Sequence, residues 1–99
     1  MGLFLSFKKN EGMCIKTPNG TIDIIVKDIS KSSINRQGDF EIRGLPNRKS
    51  IHISNEDGLV ELADDLYLGV RDGKYQKKDK LEIHFSSKKY RIEKKDYSC

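Results

Sequence analysis

Apolar and polar residues alternate along much of this chain with a period of two, which is the pattern of half-buried β-strands. Ile22, Ile24 and Val26 alternate in TIDIIVKDIS, and the turn-forming sequence PNG stands just before them. Successive strand residues point to opposite faces, so these three side chains share one face. The pattern predicts a β-hairpin over residues 12–29.

The same alternation recurs in six further segments, separated by the turn-like sequences GLPN (44–47), RDGK (71–74) and SSKK (86–89). It predicts a mainly β protein, with short twisted antiparallel strands in small sheets and at most one short helix. The alternating apolar positions are Leu3, Leu5 and Phe7; Phe40 and Ile42; Ile51 and Ile53; Leu66, Leu68 and Val70; Leu81, Ile83 and Phe85; and Tyr90 and Ile92.

One segment fits two structures. In SNEDGLVELADDL, Leu59, Leu62 and Leu66 recur at the spacing of one helix face. The same stretch places Val60 and Leu62 at strand spacing, and its glycine counts against a long helix. The sequence therefore leaves residues 58–66 open between a short helix and a strand.

The length of 99 residues fits a single compact domain, residues 1–99. The net charge of +4 is unevenly distributed along this domain. Residues 1–53 carry a net +4, residues 54–73 a net −5 and residues 74–99 a net +5. We expect a fold that gathers the two basic arms on one face.

Several classes of protein are disfavoured. No apolar run approaches the roughly 20 residues of a membrane-spanning helix, so we expect no membrane partner. Positive charge follows the N-terminal apolar stretch, the reverse of a signal peptide, so we expect a cytoplasmic location. The two cysteines and two structural histidines, His52 and His84, have no ligand spacing, so we expect neither metal nor cofactor. Asp64 and Asp65 match a turn and lack a nearby nucleophile or base, so we expect no enzyme.

The C-terminal basic arm interleaves cations with aromatic residues. Nucleic-acid surfaces combine cations that neutralise phosphates with rings that stack on bases. The alternative is a solvated strand edge whose lysines prevent aggregation. We favour nucleic-acid binding because the charge is more segregated than edge protection requires. The basic positions are Lys74, Lys77, Lys78, Lys80, Lys88, Lys89, Arg91, Lys94 and Lys95, and the aromatic ones are Tyr75, Phe85 and Tyr90.

The N-terminal stretch LFLSFKKNEGMCI resembles the opening of the CsrA/RsmA carbon storage regulator family. That family begins with an alternating strand, Leu-x-Leu-Thr, followed by basic residues, a Glu and a second strand that ends in Ile. The segment TIDIIVKDI is similar to the family's long third strand. The positions that match the opening without a gap are Leu3, Leu5, Ser6, Lys8, Glu11, Met13 and Ile15.

Two segments resemble the family's fourth and fifth strands. FEIRGLPNRKSIHISNED (40–57) keeps the family's proline and histidine, the latter as His52, but has Ile53 at the position of an arginine. LEIHFSSKKYRIEKKDY (81–97) lacks the proline and the histidine but has Lys94 at the arginine position. Only the second segment therefore ends in a basic strand of the family's kind.

LVELADDLYLGVRDGK (59–74) is similar to the family's second and third strands. The chain then consists of one full unit, 3–53, and a second unit, 59–97, that lacks a first strand. Family members are intertwined homodimers in which the first strand of one subunit lies beside the fifth strand of the other, so this chain would be a pseudo-dimer. The competing interpretation is an ordinary homodimer subunit, 3–66, with a terminal helix and an extra β arm, 67–99.

The resemblance implies an RNA-binding translational repressor. The family binds RNA hairpins with a GGA loop, using the edge of the first strand and the basic end of the partner's fifth strand, and covers ribosome-binding sites. A lysine at the arginine position loses the bidentate fork, which weakens base reading and keeps the attraction for phosphates. Carried over by position, the resemblance implies Leu5, Ser6, Phe7, Lys8 and Lys94 in RNA binding. The charge pattern adds Lys9, Lys88, Lys89, Arg91 and Lys95 to the candidate nucleic-acid-binding residues.

Two alternatives stay open. The same fold would bind duplex DNA as a transcriptional repressor if its lysines contact chiefly the phosphate backbone. A protein-interaction or inhibitor module would instead present the acidic stretch 54–73 to a basic partner. In each case we expect Glu11 and Gly12 to turn the chain from its first strand into its second.

Overall fold

The computed structural model describes residues 2–31, 35–46, 49–71 and 80–97. Predictions for Lys74, Tyr75, Lys77, Lys78 and most of the 71–74 loop lie outside these ranges. The mainly β prediction is confirmed. The elements in chain order are β1 Gly2–Phe7, β2 Glu11–Thr17, β3 Gly20–Lys31, β4 Arg36–Arg43, β5 Ser50–Ser54, a 3-10 turn Asn55–Asp57, β6 Val60–Ala63, β7 Leu66–Val70, β8 Leu81–Ser86 and β9 Arg91–Asp96.

The described strands form two antiparallel sheets. One has the order β1-β8-β7-β6 and the other β5-β4-β3-β2-β9. The predicted hairpin is present as β2 and β3, with Ile15 opposite Ile22. The Thr17 hydroxyl donates a hydrogen bond to the Gly20 carbonyl oxygen at 2.8 Å, which closes the turn at PNG.

The two halves of the chain exchange strands. β1, from the N-terminal half, pairs with β8 from the C-terminal half, with Leu5 opposite Ile83. β9, from the C-terminal half, pairs with β2, with Ile15 opposite Ile92. The four-stranded sheet therefore holds a three-strand meander of the C-terminal half, β6 to β8, with β1 at its edge. The five-stranded sheet holds a four-strand meander of the N-terminal half, β2 to β5, with β9 at its edge. β5, the last strand of the N-terminal half, is not exchanged, because it pairs with β4 of its own half.

A single apolar core lies between the sheets. Inward-facing side chains from β1 to β8 form it, and Ile92 of β9 packs against it. Burying a large aliphatic or aromatic side chain contributes about 1.5–3 kcal/mol, so each exchanged strand contributes to stability through its inward residues. Phe7 of β1 is fully buried only because β1 lies beside β8. The core consequently depends on both halves of the chain.

The ambiguous stretch 58–66 is extended. β6 ends at a two-residue corner, and β7 begins directly after it. Asp65 adopts a φ of 59° at this corner, a left-handed conformation that interrupts a helix and that Asp tolerates. Leu62 and Leu66 reach the core from different strands, whereas Leu59 is exposed. The helix interpretation is wrong, and so is the terminal helix of the competing homodimer arrangement.

Because both exchanged edge strands come from the same chain, we expect a monomer in solution. Light scattering during size-exclusion chromatography should give a mass near 11.4 kDa. A mass twice as large at all accessible concentrations would mean that the strands are exchanged between copies, and the arrangement within one chain would be wrong.

Candidate nucleic-acid interface

The first corner of the chain spans residues 8–10. Asn10 adopts left-handed backbone with a φ of 72°, which Asn accommodates better than most residues. Glu11 Oε1 accepts the N–H of Lys8 at 2.7 Å, and the N–H of Glu11 donates to the Lys8 carbonyl at 3.0 Å. Gly12 already lies in β2, where any side chain would overlap the backbone of β3. The expectation that Glu11 and Gly12 make the turn is therefore wrong.

The edges of the two sheets face each other along β1 and β9. We call β1, β9 and the corner 8–10 together the β1–β9 seam. Lys94 Nζ of β9 donates a hydrogen bond to the Ser6 carbonyl oxygen of β1 at 2.7 Å. The same ammonium lies 5.4 Å from the centroid of the Phe7 ring, within cation–π range. It also lies 3.8 Å from Glu11 Oε1, so one lysine contacts both sheets.

The register of β9 explains why Lys94 reaches across the seam. Lys94 is paired with Met13, and paired residues of antiparallel strands project to the same face. Met13 is buried in the core, so Lys94 projects inward at the edge of its sheet. An inward-pointing charge on an edge strand also prevents pairing with a foreign strand. Lys94 therefore closes the sandwich and keeps 43% of its side chain exposed.

The β1 residues implied in binding differ in their exposure. The Phe7 side chain is buried, so only the backbone of Phe7 is left for contact with a nucleic acid. Leu5 packs against the core, and Ser6 is half-buried on the outer face. Lys8 and Lys9 are exposed at the corner that follows. The structure thus brings these residues together with Lys94, and the exposed cations lie at one end of the seam.

Arg91 and Lys95 project from the outer face of β9. Arg91 lies opposite Lys16, and Lys95 lies opposite Gly12. Both cations are exposed, and Lys95 Nζ lies 5.3 Å from the centroid of the Tyr97 ring. Glu93 lies between them on the same face, where it forms an ion pair with Lys16 at 3.8 Å, so this face carries charges of both signs.

Tyr97 fixes the end of β9. Its N–H donates to the Asn10 carbonyl at 2.8 Å, and its hydroxyl donates to Asp23 Oδ1 at 2.5 Å. Burial raises the pKa of Tyr97 above its usual range, and the hydrogen bond to Asp23 and the charge of that carboxylate raise it further. No local sequence pattern indicates this contact, because the two residues are 74 positions apart. Tyr97 helps to hold β9 where Lys94 meets β1.

Lys88 and Lys89 lie at the other end of β9. Lys94 is five residues beyond Lys89, roughly 16 Å at the rise of a strand. Asp65 Oδ2 accepts the N–H groups of Lys88 and Lys89, each at 2.9 Å, and Lys89 Nζ lies 3.7 Å from Asp64 Oδ2. Two acids therefore lie against this pair of lysines, which is separated along the chain from the cations at the 8–10 corner.

Both histidines contact other side chains. His52 Nδ1 lies 2.6 Å from Asp39 Oδ1, and its Nε2 lies 2.6 Å from Gln37 Oε1. The His84 ring stacks on Phe4 with a centroid distance of 4.3 Å. Among the described residues, no group of three or more His, Cys, Asp or Glu side chains could hold a metal ion.

Comparisons with protein-family models, with curated proteins and with solved structures found no significant match to this chain. In the part of the chain that the structure describes, no helix is long and apolar enough to cross a bilayer. A function must therefore be inferred from the geometry of the β1–β9 seam and from the sequence resemblance.

Asp65→Asn should lower stability at neutral pH, because Asp65 caps the turn that carries Lys88 and Lys89. Partial burial alone would raise the pKa of Asp65, but the N–H groups of the two lysines and the Ser87 hydroxyl outweigh it and hold the pKa below its usual 3.8. A depressed pKa stabilises the fold above the unfolded-state value and loses that contribution as pH falls through the folded-state value.

Urea denaturation between about pH 7 and pH 2 checks this prediction. The stability difference between wild type and Asp65→Asn should shrink as the solution becomes more acidic than the usual value of 3.8. Asn tolerates the left-handed backbone of this position, so the comparison isolates the charge. A difference that stays constant across that range would contradict the assigned role.

Proposed function

We propose that this chain is a non-enzymatic, CsrA-like RNA-binding repressor of translation that binds an RNA hairpin along the β1–β9 seam. One observation carries the proposal: Lys94 of β9 contacts Ser6 of β1 within a single chain. β1 and β9 belong to different sheets, since β1 pairs with β8 and β9 with β2, so the support is this one contact across the two sheet edges and not the direct strand pairing that the resemblance implies.

The exchange of strands between the two halves also supports the proposal. One of the two arrangements that the resemblance left open is a pair of intertwined units in one chain, the second without a first strand. Correspondingly, β1 completes the sheet of the second half and β9 completes the sheet of the first. β5, in the first half, carries Ile53 instead of a basic residue and pairs with β4. We infer one binding seam in each chain.

The chemistry of the seam suits a polyanion with an exposed loop. Lys8, Lys9, Lys94 and Lys95 offer charges to phosphates at one end of the seam. The edge of β1 adds backbone groups, which bind base edges only where those are unpaired, as in a hairpin loop. Lysine is a point charge without a bidentate fork, so phosphate contacts supply most of the affinity. The protein would cover the bound RNA, and translation would be repressed because the ribosome could not reach its binding site.

Gel shifts with a GGA-loop hairpin, a scrambled hairpin and duplex DNA test the proposal across a salt series. The GGA hairpin should bind best, and affinity should fall steeply as salt rises. Replacing both Lys94 and Lys95 by Gln should reduce the salt slope by about 1–2, because each lost phosphate contact removes roughly 0.7–0.9. The matched control replaces Lys27 and Lys49, two exposed lysines away from β9, and should leave the slope unchanged.

Each other outcome has a definite meaning. No binding at about 50 mM salt, where electrostatic attraction is strong, would end the nucleic-acid proposal. Tighter binding of duplex DNA would favour the transcriptional repressor instead. Equal losses of affinity and of salt slope in the seam variant and the control variant would show that binding depends on the total charge and not on the seam.

A further inference from the structure

A small pocket lies on the outer face of the four-stranded sheet, away from the core. Among the described residues, Phe4 and Leu59 are the large hydrophobic side chains that remain exposed, with 48% and 46% of their surfaces accessible. Both line this one pocket of about 140 Å³. The volume is that of four or five water molecules in the liquid. Two exposed apolar groups on one cavity indicate a binding site more than scattered surface residues do.

The pocket has one wall of stacked rings and a floor made of backbone. Phe4 of β1 lies opposite His84 of β8, and their rings stack with an interplanar angle of 19°. Gly69 of β7 is the next residue in this row and leaves the floor without a side chain. A Cβ at Gly69 would lie 2.9 Å from the Gly58 carbonyl oxygen and 3.2 Å from Leu59 Cδ2. The Gly58 carbonyl and Leu59 therefore occupy the space above Gly69, and the glycine lets the 58–59 backbone close this side of the pocket.

The rim of the pocket is polar and charged. The Arg71 guanidinium lies 4.6 Å from the centroid of the Phe4 ring and donates a hydrogen bond to Glu82 Oε1 at 2.5 Å. The half-buried His84 ring adds nitrogen atoms at the wall. Such a site, with aromatic and aliphatic walls and hydrogen-bonding groups at its edge, suits a planar heterocycle better than an aliphatic side chain.

The pocket adjoins the β1–β9 seam. Phe4 and Ser6 are two residues apart on β1 and project to the same face, roughly 7 Å from each other. The Ser6 carbonyl is the atom that Lys94 of the seam contacts. A polyanion held by the seam lysines would therefore present its next unpaired base to the Phe4 ring.

We propose that the Phe4, His84 and Leu59 pocket binds one unpaired nucleobase of the RNA whose backbone lies along the β1–β9 seam. This inference rests on the proposed function and adds a stacking contact to it. Base–aromatic stacking depends little on base identity, because every base has a π face. The pocket would thus add affinity for unpaired RNA without restoring the base reading that a seam built on lysine lacks.

The first test compares variants in the RNA salt series. Phe4→Ala should weaken binding of the GGA-loop hairpin by about 5- to 150-fold at every salt concentration, the loss typical of one stacked base. The salt slope should not change, because stacking releases no counterions. Phe4→Tyr should restore binding. Tyr67→Ala removes a ring from the same sheet face outside the pocket and should bind as wild type.

The second test needs no RNA. Titration of the ¹⁵N-labelled protein with guanosine 5′-monophosphate should shift the amide signals of Gly69 and His84, whereas ribose 5-phosphate, which lacks the base, should not. Phe4→Ala should abolish the shifts, and Tyr67→Ala should retain them. Equal effects of the two ligands, or no shifts at saturating nucleotide, would overturn the base pocket.

The two tests separate the failure of this inference from that of the proposed function. RNA binding that is indifferent to Phe4→Ala, with no nucleotide shifts, removes the pocket and leaves the seam. Nucleotide shifts without RNA binding remove the proposed function and the coupling to the seam. A change in solution mass from two chains to one on Phe4→Ala would make a second copy of this chain the occupant and overturn the inference.

Discussion

Neither half of this chain can cover its own apolar face, and this constraint governs the rest of the structure. The hydrophobic fraction is 35%, and the N-terminal half supplies a meander of four strands and the C-terminal half one of three, each with one apolar side. A sheet of that width is stable only when a second sheet covers it. The halves therefore share one core, and each lends an edge strand to the other's sheet. Phe7 of β1 and Ile92 of β9 join that core only through this exchange.

The same exchange creates the candidate interface. Since β1 ends one sheet and β9 ends the other, the sandwich must close where these edges meet. Lys94 closes it with a hydrogen bond to Ser6 and a charge beside the Phe7 ring. A lysine at position 94 stabilises the closed sandwich and also places a cation next to the exposed edge of β1. Tyr97 anchors the same strand to Asp23 of β3. The Lys94 ammonium is therefore held by its own contact with β1 and by the attachment of β9 to β3.

Much of the strand structure could be predicted from the sequence, because an alternation with a period of two is visible within each short segment. The 58–66 stretch could not, since leucines three and four residues apart fit a helix face as well as two strands joined at the Asp65 corner. Contacts between residues far apart in the sequence also could not be predicted from it. Asp65 holds the turn of Lys88 and Lys89 although the sequence separates these charges into different arms. The sequence predictions did not include Phe4, although an aromatic residue out of phase with the apolar positions of its strand is expected on the outer face.

The most direct test of the account is an amide chemical-shift map of the labelled protein titrated with GGA-loop hairpin RNA. The account predicts the largest changes along Leu5, Ser6 and the 8–10 corner, and along Lys94 and Lys95. Changes centred on β4 and β5, or no changes at saturating RNA in low salt, would contradict the claim that the β1–β9 seam is the binding surface.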